Sequence, residues 1–316
     1  MPLILNARAA RIVEAAVAAG EELRIASREV EGGGRFVDCG VEARGGLAAG
    51  LALARVCLGG LADVSLTMGE VEGRATPFVE VWTDHPVQAC LASQYAGWAI
   101  SEGKFFAMGS GPMRAARGKE AVFDAIGFRE DSRTIVGVLE TAKAPPPEVF
   151  AKVAGECGVE PFHVTLLAAP TASLAGGLQI VARSIETALH KLAELKFDLS
   201  RIVSAQGWAP PPPVAKNDLA AIGRTNDAIL YGARAVLHVT GDDDSLAEIG
   251  PKVPSSSSPD FGEPFAAIFA RYKNDFYAVD PMLFSPAEIV FQNLDTGRSH
   301  AFGAVRPDVV AKSFRG

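Results

Sequence analysis

The chain has 316 residues, of which 48% are hydrophobic and 21% are charged, and its formal net charge at pH 7 is −7. This composition is ordinary for a folded globular protein and excludes a largely disordered chain. The acidic balance, without any cluster of Lys and Arg, argues against a nucleic-acid-binding surface.

The first part of the chain alternates predicted helices and strands. Helical spacing of apolar residues predicts helices at 6–25, with Asn6 as the cap, and at 46–58. A third helix is predicted at 84–100, with Asp84 as the cap and Pro86 in the first turn. Strand-like runs lie at 35–43, 63–68, 77–82 and 134–141, and residues 105–117 predict a short strand, a Gly/Pro turn and the start of a helix.

The three prolines in KAPPPE, residues 143–148, predict a junction, because they fit neither a helix interior nor a central strand. Beyond it the alternation resumes. Strands are predicted at 162–168, 234–240 and 288–292, helices at 173–195, 219–231 and 265–272, a stiff turn at 210–218 and a flexible loop at 254–260. This pattern predicts an α/β fold with two domains, 1–150 and 151–316, whose chain ends can pack across the boundary.

The segment 109–117, GSGPMRAAR, is the most specific local pattern. Small residues at a strand-to-helix turn let backbone N–H groups approach an anion, and a helix N-terminus adds positive potential. Ser110, Gly111 and Arg114 are candidate ligands there, and Arg117 can add a charge-assisted hydrogen bond. A tight turn with surface arginines explains the same residues equally well.

Residues 179–192, QIVARSIETALHKL, predict a helix on which Arg183 and Glu186 lie three positions apart on one face. Taken alone, such a pair is more typical of an intrahelical ion pair on the surface than of catalysis. Glu140 ends the strand-like run IVGVLE, where an acid either lines a cleft or begins a turn.

The segment 272–289 is rich in aromatic residues, Asp and Pro. It either walls an apolar site for a flat ring or forms a packed loop with Phe276, Tyr277 and Phe284 in the core.

Several familiar chemistries lack their sequence signatures. The chain has no G-x-x-x-x-G-K-[ST], H-E-x-x-H or G-x-S-x-G motif, and its glycine runs give no clean G-x-G-x-x-G. The five histidines are not at metal-ligand spacing. The four cysteines include no C-x-x-C pair, which predicts buried small side chains and not disulfides or metal ligands.

The N-terminus lacks the order of basic region, apolar core and cleavage site that marks a signal peptide. The most apolar stretch, 45–62, contains Arg55 and several glycines and is short for a membrane span. We therefore expect a cytoplasmic protein that does not enter a membrane.

Taken in series, these segments resemble the methenyltetrahydromethanopterin cyclohydrolase family over nearly the whole chain. The similarity is strongest, in the family's order and spacing, in HPVQACLASQYAGWAI, AMGSGPMRAAR, GVLET, VARSIETALHKL and KNDFYAVDPMLFSPAEIV. The resemblance implies two α/β domains with a substrate pocket between them, a homotrimer, and a reaction that needs no metal or organic cofactor. It implies reversible hydrolysis of a methenyl-tetrahydromethanopterin cation, a pterin one-carbon carrier, to the N5-formyl form. The Ala-, Gly- and Arg-rich composition is more similar to bacterial members, where the step serves formaldehyde oxidation in methylotrophs.

The resemblance also implies roles for single residues. Arg183 and Glu186 match the catalytic pair, and we hypothesise that Glu186 takes the proton of the attacking water while Arg183 orients or tunes it. Glu140 matches the acid of the pocket, and residues 110–114 match the anion-binding loop.

Two departures from the family pattern fall in these segments. Met113 replaces the more usual Ala in the loop, which affects its expected shape. Gln94 and Tyr95 stand where some members carry a lysine, so no cationic role transfers there. Tyr95 and Phe284 complete the predicted substrate-binding set.

Three alternatives remain open from the sequence. The first is a hydrolase of the same family that acts on another cyclic amidine, such as a folate-type methenyl carrier; rates on the two carriers would separate these interpretations. A pterin-binding protein without turnover would keep the aromatic residues and tolerate loss of Glu186. An NAD-type oxidoreductase is suggested by the glycines but lacks the fingerprint.

Overall fold

The computed structural model describes residues 3–275 and 278–315. The chain divides into two compact units, each with a six-stranded sheet and helices, which confirms the predicted α/β class. The first unit contains the chain up to Asp63 and Gln88–Ile180; the second contains Val64–Val87 and the chain from Val181 onward. The units are therefore interleaved in sequence, whereas the predicted junction at residue 150 lies within one helix of the first unit.

The strands of the described residues are β1 (Ala26–Glu29), β2 (Arg35–Asp38), β3 (Asp63–Val71), β4 (Arg74–Thr83), β5 (Trp98–Glu102), β6 (Phe105–Ser110), β7 (Ile135–Glu140), β8 (Val164–Ala169), β9 (Ile202–Ala209), β10 (Arg234–Val239), β11 (Glu288–Asn293) and β12 (Ser299–Gly303). The α-helices are α1 (Leu5–Ala18), α2 (Gly20–Leu23), α3 (Leu47–Cys57), α4 (Met113–Arg117), α5 (Val122–Ile126), α6 (Pro147–Cys157), α7 (Leu174–Val181), α8 (Ser184–Glu194), α9 (Asp218–Leu230), α10 (Asp243–Ile249), α11 (Phe265–Arg271) and α12 (Pro307–Arg315).

The sheet of the first unit has the strand order β1-β2-β8-β7-β6-β5. The pairs β2–β8 and β7–β8 are parallel, and the outer pairs are antiparallel. In β7, Val136 and Val138 pack with α1 and α3, while Ile135 and Leu139 pack with α6. Successive side chains of a strand point to opposite faces, so helices cover this sheet on both sides.

The N-terminal helix differs from its prediction. Asn6 does not cap it but lies within α1, where its Oδ1 accepts a hydrogen bond from Val136 N at 2.8 Å. Glu130 caps the helix instead, because its carboxylate accepts from the N–H groups of Leu5 and Asn6 at 2.6 and 3.0 Å. Burial raises the pKa of Glu130. The helix ends at Ala18, and the predicted extension to residue 25 is replaced by the short helix α2.

Two other predicted elements are shorter than expected. Strand β2 ends at Asp38, because the Asp38 carboxylate accepts the backbone N–H groups of the next turn, at positions 40–43, at 2.7–2.9 Å. The predicted helix at 84–100 is wrong in its second half: a π-helix spans Val87–Gln94, and strand β5 follows. Asp84 does not cap this helix through its side chain; its carboxylate accepts from Ser204 Oγ at 2.7 Å.

The sheet of the second unit has the strand order β12-β11-β10-β9-β4-β3. The pair β10–β11 is parallel, and the pairs β4–β9, β9–β10 and β11–β12 are antiparallel. Helix α8 packs against β9 and β10. A separate apolar cluster joins α9, α11 and α12, with Tyr231, Phe265 and Val310 buried.

Among the described residues, no helix combines the length and the apolar character needed to cross a membrane.

Candidate active site

The predicted helix at 173–195 is two helices, not one. Helix α7 ends at Val181 and α8 begins at Ser184, with Arg183 at the junction at φ −95° and ψ 12°. The chain passes from the first to the second unit between Ile180 and Val181, at the end of α7, and the whole of α8 belongs to the second unit. Thr187 closes the junction, because its backbone N and its Oγ1 donate to the Arg183 carbonyl at 2.9 and 3.0 Å.

Arg183 and Glu186 form a buried pair. Arg183 Nη1 lies 3.9 Å from Glu186 Oε2, and the two residues are 6% and 4% exposed. Glu186 lies in the first turn of α8, where unpaired helix N–H groups favour negative charge. The pair is therefore not a surface ion pair, and its two charged groups have been taken out of water, which costs free energy and is typical of functional sites.

A glycine in the neighbouring strand allows α8 to approach the sheet. A Cβ atom at Gly207 in β9 would lie 2.3 Å from Ser184 Oγ and 3.0 Å from Ile185 Cγ1. No ordinary side chain fits at such distances, so the start of α8 rests directly on the backbone of β9. Gly207 therefore helps to set where Arg183 and Glu186 lie.

Glu140 ends β7 and is partly exposed. Gln179 in α7 donates from Nε2 to Glu140 Oε1 at 3.0 Å, and Gln179 itself is 1% exposed. The carboxylate is thus held from its buried side by an amide donor. Glu140 and Gln179 both belong to the first unit, whereas Arg183 and Glu186 belong to the second.

The predicted anion-binding turn is tied down by its own unit. Ser110 is fully buried, and its Oγ lies 3.2 Å from Cys57 Sγ. Gly111 has φ +88°, which favours glycine, and its N–H donates to the Ser93 carbonyl at 2.8 Å. These contacts favour a role in holding the shape of the turn.

Arg114 is fully buried and is not a surface arginine. Its Nε donates to Glu120 Oε2 at 2.9 Å and its Nη2 forms an ion pair with the same carboxylate. Its Nη1 donates to the carbonyls of Leu91 and Ser93, at 2.9 and 3.3 Å. The guanidinium carbon also lies 4.9 Å from the ring centroid of Tyr95. The arginine thus links α4 to the π-helix with its charge compensated inside the unit.

Met113, the departure from the family pattern, fits without disturbing the turn. It is fully buried, and two strand glycines make room for it. A Cβ atom at Gly137 would lie 2.2 Å from Met113 Sδ, and one at Gly109 would lie 2.7 Å from Met113 Cε. The larger side chain is therefore accommodated by the sheet beneath it.

The two predicted aromatic residues lie in different units. Tyr95 is half-buried and follows the π-helix, and its N–H donates to the Cys90 carbonyl at 2.8 Å. Phe284 is half-buried and packs edge-on against Phe265 at 5.8 Å between ring centroids. Phe276 and Tyr277, from the same predicted aromatic wall, lie outside the described residues.

Two buried polar residues of α7 and α8 were not predicted. Gln179 is the one polar side chain in the otherwise apolar run LAGGLQIVA. Its isolation among apolar residues is a feature of the sequence by which it could have been found. Lys191 in α8 is 1% exposed, and its Nζ donates to Ser257 Oγ at 3.1 Å and to the Met282 carbonyl. Burial lowers the pKa of Lys191 to about 8. Nothing in the local pattern distinguishes this lysine from a surface one.

In residues 3–275 and 278–315, no three His, Cys, Asp or Glu side chains lie close enough together to hold a metal ion. A cavity of about 330 Å³ in the second unit contains none of the predicted site residues. It is lined by Glu80, Trp82, Thr83, Asp84, Ser204, Ala205, Gln206 and His238.

Comparison with known proteins gives one consistent result. The family model described as "Cyclohydrolase (MCH)" matches residues 4–314. A methenyltetrahydromethanopterin cyclohydrolase of Rhodopirellula baltica is 50% identical, covering 89% of this chain and 86% of the relative. Proteins of the same name from Methylobacterium sp. and Methanosphaerula palustris are 46% and 43% identical; they cover 98% and 99% of this chain, and 97% and 99% of their own lengths are matched.

Proposed function

The chain belongs to the MCH cyclohydrolase family, and from this premise we propose that it hydrolyses 5,10-methenyl-tetrahydromethanopterin to N5-formyl-tetrahydromethanopterin, with Glu186 as the base. The relatives' shared name supports the reaction. The observation that carries the assignment of the base is the buried Arg183–Glu186 pair at the start of α8.

The substrate explains why so few groups suffice. Its bridging carbon lies between two nitrogens that share a positive charge, so it is electrophilic before any enzyme group acts on it. The protein must place a water molecule over that carbon and remove a proton as the C–O bond forms. The C–N10 bond then breaks as N10 receives that proton, and the remaining hydroxyl proton is released to solvent as the C=O bond forms. The formyl group stays on N5, and the cation and water give a neutral product and one proton.

Glu186 suits the task of moving this proton. It takes a proton from the attacking water and returns it to N10, so the carboxylate is regenerated in each turnover. A carboxylate that is 4% exposed has few competing waters, which strengthens its interaction with a reacting proton. Arg183, at 3.9 Å, orients the carboxylate and balances its charge.

Glu140 has a different role in this proposal. A carboxylate facing a cationic ring system stabilises the bound substrate, and Gln179 holds this carboxylate in one orientation. Too strong a hold on the ground state would slow the reaction, so Glu140 is expected to act mainly on substrate binding. Direct substrate contact by Tyr95, Ser110, Gly111, Arg114 or Phe284 stays a prediction from the resemblance.

The proposal also covers the reversibility of the reaction, the oligomeric state of the protein and its metabolic role. The resemblance supports a reversible reaction, a homotrimer and a place in formaldehyde oxidation in a methylotroph. The composition, which is similar to that of bacterial members, supports the last point.

The experiment is an absorbance assay of methenyl loss with the purified protein and no added metal. We expect rapid loss with methenyl-tetrahydromethanopterin and a much slower rate with methenyl-tetrahydrofolate. Comparable rates on both carriers would favour the folate-type alternative. Binding of the pterin without turnover would refute the enzymatic assignment.

A further inference from the structure

The charged groups that belong to the proposed site each have a partner within their own unit. For Glu140 that partner is the amide of Gln179, at 3.0 Å. The two residues are 39 positions apart, so the hydrogen bond joins the end of β7 to α7. Glu140 ends a central strand of the sheet, in register with Met108 of β6 and Ala169 of β8.

The helix that carries Gln179 is firmly seated. A Cβ atom at Gly50 of α3 would lie 3.0 Å from Leu178 Cβ and 3.1 Å from Ala175 Cα. A Cβ atom at Gly176 would lie 1.9 Å from the Pro170 carbonyl oxygen. The backbone of α7 therefore packs closely against α3 at Ala175 and against the preceding turn at Gly176, which fixes the helix that carries the buried Gln179 side chain. A neutral donor on a rigid helix limits rotation of the carboxylate without neutralising its charge.

We propose that Gln179 is a positioning residue for substrate binding: its amide holds the Glu140 carboxylate in the orientation that balances the charge of the methenyl cation. This inference rests on the proposed function. A purely structural role, in which Gln179 only satisfies its own burial, predicts loss of stability without a specific change in substrate affinity.

The chain offers a matched control for this pair. In the second unit Gln206 Nε2 donates to Glu80 Oε1 at 2.9 Å, which is the same interaction at almost the same distance. Neither residue belongs to the proposed site. Substitutions of Gln206 therefore test what the loss of a Gln–Glu hydrogen bond does elsewhere in the molecule.

The test compares Gln179→Leu and Gln179→Glu with Gln206→Leu and Gln206→Glu in steady-state hydrolysis across a range of pH. For Gln179→Leu we expect KM to rise about tenfold with kcat changed less than about threefold, since a hydrogen bond to a charged group is lost. For Gln179→Glu we expect the rise in KM to grow with pH, because two adjacent carboxylates resist ionising together and one proton restores a hydrogen bond between them. Both Gln206 variants should keep the native KM at each pH.

Thermal unfolding establishes which variants are folded. If Gln179→Leu is not folded, the inference is tested with the isosteric variant Gln179→Glu alone. Native KM at every pH in a folded Gln179 variant overturns the inference, as does the same change in the Gln206 variants. If the native protein is active and Glu186→Gln is inactive, an unchanged KM in the Gln179 variants refutes only the role of Gln179 and leaves the proposed function standing. An inactive native protein overturns the proposed function and this inference together.

Discussion

Arg183 Nη1 lies 3.9 Å from Glu186 Oε2, and both side chains are buried at the point where α8 begins. Replacing a buried ion pair by apolar residues often leaves a protein as stable or more stable, so such a pair is weak evidence for a structural role. Its place at the helix start, in one of the segments that carry the resemblance to the family, makes it the centre of the proposed chemistry.

Arg183→Leu should lower kcat about 100-fold while KM changes less than about threefold, because the guanidinium acts on the reacting carboxylate more than on the bound pterin. Arg183→Lys keeps the charge and should recover part of kcat. Steady-state kinetics on methenyl-tetrahydromethanopterin measure both. A large rise in KM with native kcat would make Arg183 a binding residue instead.

Gly207→Ala should displace the first turn of α8, because the added Cβ would lie 2.3 Å from Ser184 Oγ. We expect a loss of about 1–3 kcal/mol in the free energy of unfolding and a lower kcat. The control is Gly155→Ala in α6, where nothing lies within 4 Å of the new Cβ. The free energy of unfolding of that control should rise by up to about 1 kcal/mol, since alanine favours helix more than glycine does. Urea unfolding measures both variants. If Gly207→Ala were as stable as Gly155→Ala, the close approach of α8 at Gly207 would be unimportant.

Arg114→Lys should destabilise the first unit by about 2–3 kcal/mol, because lysine cannot satisfy Glu120 and the carbonyl of Leu91 with the same geometry. Arg129→Lys is the matched control, since Arg129 pairs with Asp124 on the surface, and it should change stability by less than about 0.5 kcal/mol. Chemical denaturation measures both. Native stability together with weakened substrate binding in Arg114→Lys would instead support the prediction that Arg114 is an anion ligand.

We expect the stability of the second unit to depend on pH through Asp227. Burial raises the pKa of this carboxyl from 3.8 to about 7, while its Oδ1 accepts the Phe265 N–H at 2.7 Å. Between pH 3.8 and about 7 the folded protein keeps the proton that the unfolded chain releases. The contribution of this carboxyl to the free energy of unfolding therefore falls as pH rises through that range.

The drop in Tm from about pH 5 to pH 8 should therefore be smaller in Asp227→Asn than in the native protein, by on the order of 5 °C. Asp244→Asn, an exposed residue in α10, serves as control and should follow the native protein. Identical pH dependence in all three proteins would refute the assignment to Asp227.

Much of the fold follows from periodicity in the sequence. Strands β7, β8, β10 and β11 were predictable because their residues are apolar and end at turn signals. Strand β5 was not, since Trp98 and Ile100 continue an apolar run that also fits helical spacing. Interleaving of the two units depends on contacts between distant segments, which no local pattern encodes.

The candidate site was predictable where it depends on short spacing. The three-residue separation of Arg183 and Glu186 predicted their contact, but not their burial. Contacts across long stretches of chain were beyond the sequence, such as Gln179 with Glu140 and Glu130 with Asn6. The surface-arginine alternative for Arg114 failed for the same reason, because the groups that bury it come from other segments.

The most direct test of the central claim is the hydrolysis rate of Glu186→Gln, measured by loss of methenyl absorbance. Glutamine keeps the size of the side chain but cannot accept the proton of water, so kcat should fall about 100-fold to 10,000-fold with the fold intact. Glu194→Gln, an exposed residue of the same helix, should hydrolyse the substrate at the native rate. Near-native turnover by a folded Glu186→Gln would contradict the account.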